Sequence, residues 1–121
     1  MGVYVSVRGW LECDHQQLAA IQAIISSQDD NHYTGGWGLP RQHFNWTYYV
    51  FYGGDIREQA LGWLLDQLQD IAQIPATDED GDRVQGLFLA SHEVDGMSEW
   101  QLRDGQVLIS PADSRHQYLD A

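Results

Sequence analysis

His92 and Glu93 stand side by side behind Ser91, and these are residue types that can supply a general base or one edge of a metal site. A base needs a nucleophile or a metal to act on, and the sequence around the pair provides neither. His15, His32, His43 and His116 are scattered, with no HxH or HxxxH pair, so a zinc site would have to be assembled wholly by tertiary contact. Structural or surface histidines are the expected outcome. Cys13, the sole cysteine, precedes a predicted helix start, where the helix dipole can lower a thiol pKa. With no His–Asn or His–Asp pattern beside it, a small buried hydrophobe is the simpler role. A single cysteine also excludes an intramolecular disulfide and a thiolate cluster, and fits a reducing, cytoplasmic compartment.

The run Asp78-Glu79-Asp80-Gly81-Asp82 offers clustered carboxylates around a glycine turn, the donor set a hard cation requires. Its register fails for an EF-hand, because Gly81 comes one residue early and Arg83 follows. A solvated acidic loop is expected, with no metal and no cofactor. The glycines of GGWG (35–38) and of GGD (53–55) match neither a phosphate loop nor a dinucleotide fingerprint, and Asp55 already takes the anion position at its predicted helix.

Aromatic and acidic residues mixed in one region point to binding. Tyr33, Trp37 and Trp46 lie in or beside a Gly-rich segment, with Asp29, Asp30 and Asp55 near in sequence, a set suited to gripping Arg or Lys side chains. The competing role is packing, since a domain of 121 residues with five Trp must bury most of them. The charge balance is lopsided: 18 Asp plus Glu against six Arg and no Lys give a formal net charge of −12. Such a field repels phosphate, so nucleic acid and anionic membrane surfaces are poor direct ligands, while a basic protein is steered toward association. No basic segment followed by an apolar run opens the chain, and nowhere do 18 apolar residues occur in succession.

These groups must be positioned by one core, as 121 residues suit a single domain, 1–121. Val3, Val5 and Val7 alternate with Tyr4, Ser6 and Arg8, predicting a strand over 2–11. Asp14 and Gln17 have capping-box spacing before Leu18, Ile21, Ile24 and Ile25, predicting a helix over 15–27. A short strand is expected near 36–39. NWTYYVFY, 45–52, predicts a central strand, and its nearly unbroken hydrophobicity implies partial cover on both faces. Gly53-Gly54 is expected to end it, with Asp55 and Glu58 capping a long helix that leaves Glu58, Asp66, Gln67 and Asp70 to water and stops at Pro75. After the acidic loop 75–83 come a strand over 84–90, an interruption at SHEVDG, and a hairpin over 99–110 turning at Asp104-Gly105. The order resembles a ferredoxin-like split βαβ arrangement: an α+β fold with a mainly antiparallel sheet, two helices on one face and a C-terminal β-hairpin.

The stretches GGWGLP, NWTYYVFYGGDIREQALGWLLDQL and GLFLASHEVDGMSEW give the chain a texture that resembles the small α+β immunity proteins found beside bacterial polymorphic toxins. That resemblance implies an inhibitor that binds one cognate toxin, often a basic nuclease, and needs no catalytic group of its own. The expected contacts are Asp78, Glu79, Asp80 and Asp82 as electrostatic groups, with Tyr33 and Trp37 as anchors. The alternative is a small-molecule-binding or regulatory ferredoxin-like module acting as a homodimer. A small enzyme using His92, Glu93 or Cys13 ranks last.

Overall fold

In the computed structural model, residues 2–41 and 46–120 are described. His43, and Asn45 at the expected start of the central strand, lie outside them. The described elements are β1 (Tyr4–Cys13), α1 (His15–Ser27), β2 (Trp37–Gly38), β3 (Tyr48–Arg57), α2 (Leu61–Ala72), β4 (Gln85–His92), β5 (Gly96–Arg103) and β6 (Gln106–Pro111), with 3₁₀ turns at Tyr33–Gly36, Glu58–Ala60 and Ser114–Leu119. The fold is α+β. The strands form one antiparallel sheet in the order β2-β3-β1-β4-β5-β6.

Period-two burial explains the layering. Val5, Val7, Leu11 and Cys13 of β1 and Tyr48, Val50, Tyr52 and Ile56 of β3 are buried on one sheet face. They join Leu18, Ile21 and Ile25 of α1 and Leu64, Leu68 and Ile71 of α2 in one apolar cluster with Phe88 and Trp100. Both helices therefore cover the same face, each through one stripe. Helix α1 begins as its spacing predicts: Asp14 Oδ1 accepts from Gln17 N at 2.8 Å and Gln17 Oε1 accepts from Asp14 N at 3.0 Å. Phe88 fits into the core because Gly9 lies opposite it in β1. A Cβ on Gly9 would stand 2.6 Å from the Phe88 ring and 2.2 Å from the Leu87 carbonyl oxygen.

Five expectations give way to the tertiary structure. Gly53-Gly54 does not end the strand, because β1 is long enough to pair Gly53 with Arg8, Gly54 with Val7 and on to Tyr4–Arg57. Asp55 is accordingly no helix cap: it accepts from Ser6 Oγ on the neighbouring strand at 2.6 Å. A 3₁₀ turn intervenes, and α2 starts at Leu61 with no side-chain cap. Gln67, expected in water, is fully buried, and its Oε1 accepts the Trp37 indole N–H at 2.9 Å. The interruption SHEVDG shrinks to Glu93–Asp95, since Ser91 and His92 still pair with Met97 and Gly96. Finally, the outer face of β3 is open, with Tyr49 47% and Phe51 57% exposed. Strands β5 and β6 turn through Asp104 and Gly105, both at positive φ (55° and 78°), the left-handed backbone that a two-residue turn requires.

Candidate functional site: an acidic cleft

Three segments distant in sequence meet at one end of the sheet. They are the β1–α1 junction, the loop from Ile74 to Val84, and the β5–β6 turn. Between them lies a cleft of about 920 Å³ walled by Glu12, Asp14, Asp78, Asp80, Asp82 and Asp104 against, among the described residues, two cationic ones, Arg83 and Arg103. Trp46, 85% exposed, stands on its rim.

The loop is shaped from within and pinned at both ends. Ile74 and Val84 are buried in the core, so the acids between them are carried outward on a short span. Asp78 Oδ1 accepts from Asp80 N at 3.1 Å and the Asp78 carbonyl from Gly81 N at 3.3 Å, with Gly81 at φ +72° closing the turn. The helix cap residue Asp14 also accepts from Thr77 Oγ1, and the buried Gln17 side chain donates from Nε2 to the Asp82 carbonyl at 2.9 Å. The capping box of α1 thus fixes the loop as well as the helix. The carboxylates of Asp78, Asp80 and Asp82 lie within 4.8 Å of one another, all exposed. Their mutual repulsion reaches over a Debye length of about 8 Å at physiological salt, a field that a cationic side chain entering the cleft would relieve.

Of the expected contacts, Asp78, Asp80 and Asp82 line this cleft, and Glu79 is exposed on the same loop without lining it. Tyr33 and Trp37 are not among the lining residues. Both are half-buried against the core: Tyr33 accepts from Tyr52 Oη through its carbonyl at 2.8 Å, and Trp37 stacks edge-on against Tyr52 with ring centroids 5.0 Å apart. Trp46 is the aromatic that reaches the acids. Glu12 and Asp104 are not among the contacts expected from sequence, where Asp104 is marked only as a turn residue, since nothing local marks residues that only the sheet brings together.

The remaining acids of the aromatic region are engaged elsewhere. Asp30 is partly desolvated, which raises its pKa, but donors from His32, Thr34 and Tyr33 N–H and the Thr34 hydroxyl outweigh this and hold the carboxyl below its ordinary value. Asp29, Asp30, Asp66 and Asp70 line a second groove of about 610 Å³ beside Trp63. There Asp70 accepts from Gln28 Nε2 at 2.7 Å and Trp63 donates to the Gln28 carbonyl at 2.8 Å, so internal bonds already occupy several of its polar groups.

The candidate chemical residues hold structural bonds. His92 Nδ1 accepts from the N–H groups of Val94 and Asp95, each at 3.0 Å, so the ring proton sits on Nε2 and is donated to Glu58. Glu58, His92 and Asp95 have the composition of a metal site. The tautomer opposes it, because a metal on Nε2 needs the lone pair there and a proton on Nδ1, where two amides already donate. The same geometry leaves His92 no free lone pair for a base. Glu93 accepts from Tyr4 N at 3.1 Å. Cys13 is buried, and burial first and Asp14 second push its thiol up to about 12, far from a reactive thiolate.

No protein-family model matches this chain, and no curated protein matches it. Among the described residues, no helix is long and apolar enough to cross a membrane.

Proposed function

We propose that this domain is a protein-binding inhibitor that takes basic side chains of its partner into the acidic cleft, in the role of an immunity protein that neutralises a cognate toxin in the cytoplasm. The observation that carries this reading is the cleft itself: six carboxylates and an exposed indole converge on one opening of a chain with net charge −12. An arginine entering there meets charge on the walls and an aromatic surface at the rim, the two features that favour guanidinium over other groups. The long-range field speeds encounter with a basic protein, and the desolvated contacts then slow its release. Such a protein works by occupying a surface and has no chemistry of its own.

The strand order β2-β3-β1-β4, with a helix between β1 and β2 and another between β3 and β4, supports a ferredoxin-like split βαβ arrangement, extended at one edge by β5 and β6. The experiment is to capture the partner at low salt, purify it, and measure inhibition and association kinetics against wild type and Asp78→Lys/Asp80→Lys/Asp82→Lys. The reading expects a stoichiometric complex, loss of the partner's activity, and an association rate about tenfold or more slower in the variant with a flatter salt dependence. Equal association rates for the two proteins would remove the cleft from the interface.

A further inference from the structure

On the sheet face away from the helices, the side chains do not follow the polar pattern usual for a solvated antiparallel surface. Phe51 of β3 pairs with Trp10 of β1, Trp10 with Leu87 of β4, and Leu87 through Gln101 of β5 with Leu108 of β6. These residues form one row running across the strands. Phe51 is 57% exposed, and the next row begins with Tyr49 at 47%. That second row continues through Glu12 and Gln85, two residues that also wall the acidic cleft. The apolar row and the cleft therefore share a border.

The charges beside the row favour one kind of occupant. Glu12 accepts from the Trp10 indole at 2.9 Å and Glu99 from Gln101 Nε2 at 2.7 Å, both neutral donors. Among the described residues neither carboxylate has an arginine within ion-pair distance. Arg8, next to the row, is turned to the C-terminal turn, donating to the Leu119 carbonyl and to Ser91 Oγ, each at 3.1 Å. A second copy of the chain would bring −12 against −12, whereas a cationic partner with an apolar stripe matches both the row and its acidic border.

We infer that the open sheet face is the apolar half of a two-part interface, receiving a partner segment in which apolar residues lie beside the arginines or lysines that enter the cleft. This rests on the cleft binding cations, and the test separates the two ideas. Two synthetic peptides of equal charge and spacing, (Arg-Gly)4 and (Arg-Leu)4, are titrated into wild type, Phe51→Ser, Tyr49→Ser and Asp78→Asn/Asp80→Asn/Asp82→Asn, with folding of each checked by circular dichroism. Both serine changes are at exposed positions, so either variant can report if the other is unstable.

Wild type is expected to hold (Arg-Leu)4 about tenfold or more tighter than (Arg-Gly)4, from burial of leucine on the row. The serine variants should lose most of that difference while keeping (Arg-Gly)4 affinity, and the asparagine variant should weaken both peptides alike. Equal affinities for the two peptides on wild type, or an undiminished difference in both serine variants, overturn the inference and leave the cleft reading standing. Failure of wild type to bind either peptide overturns both. Sedimentation showing a wild-type dimer that Phe51→Ser converts to monomer would assign the face to a second copy and overturn the inference alone.

Discussion

The indole N–H of Trp10 donates to Glu12 Oε2 at 2.9 Å, two residues along the same strand and on the same sheet face. Trp10 belongs to the apolar row and Glu12 to the wall of the acidic cleft, so one bond joins the two surfaces proposed to meet a partner. It orients the ring along β1 and holds the carboxylate at the border without neutralising it.

Gly9→Ala should be costly. The added Cβ would meet both the Phe88 ring and the backbone carbonyl of Leu87, so repacking the ring alone does not make room. Overpacking of this kind costs about 1–3 kcal/mol or more. Urea denaturation should show that loss in Gly9→Ala and no full recovery when Phe88 is reduced to Leu.

Asp14→Ala removes a helix cap and an anchor of the acidic loop together. The cap alone is worth about 1 kcal/mol. A larger consequence is expected in loop order: amide exchange should accelerate from Thr77 to Arg83 as well as in the first turn of α1. Acceleration confined to α1 would show that the loop holds itself.

Two titrations should bracket stability. The fold holds Asp30 below its ordinary pKa of about 3.9, so its contribution is whole above about pH 4 and fades as pH falls through the lowered value. Asp30→Asn should therefore narrow the gap to wild type only on the acid limb. Burial first, with Asp30 and Tyr33 adding to it, pushes the Tyr52 phenol up to about 12. Its fold preference for the protonated form is whole below about pH 10 and is lost as pH rises through about 12. Ultraviolet titration should show a late tyrosine phase, and Tyr52→Phe should remove it.

Cys13 should be inert. With its thiol buried and donating to the Tyr48 carbonyl at 3.8 Å, labelling by a disulfide reagent at pH 8 should proceed only on unfolding. Rapid labelling of the native protein would revive a nucleophilic role.

What the sequence revealed was local, and what it hid was assembled by the sheet. The Asp14–Gln17 box could be read directly, because a cap needs only three residues of context. Gly53-Gly54 misled because ten paired positions on β1 outweigh the weak strand propensity of two glycines. The open face was concealed by composition: in a run as aromatic as YYVFY, buried Tyr48, Val50 and Tyr52 cannot be told from exposed Tyr49 and Phe51 by hydrophobicity. The acids at 78–82 were visible as a run, but Glu12, Asp14 and Asp104 join them only once β1, α1 and the β5–β6 turn converge. Tyr33 and Trp37 stood out as aromatic residues in a Gly-rich segment, and that same segment is what lets them fold back onto Tyr52.

The cleft's capacity for cations is tested most directly by titrating (Arg-Gly)4 into isotope-labelled protein and mapping the amide and indole shifts. Saturable shifts are expected at Gly81, Asp82 and Gly105 and at the Trp46 indole, all weakening as salt is raised. Shifts centred on the groove beside Trp63 and Asp66, or no saturable shift at low salt, would contradict it.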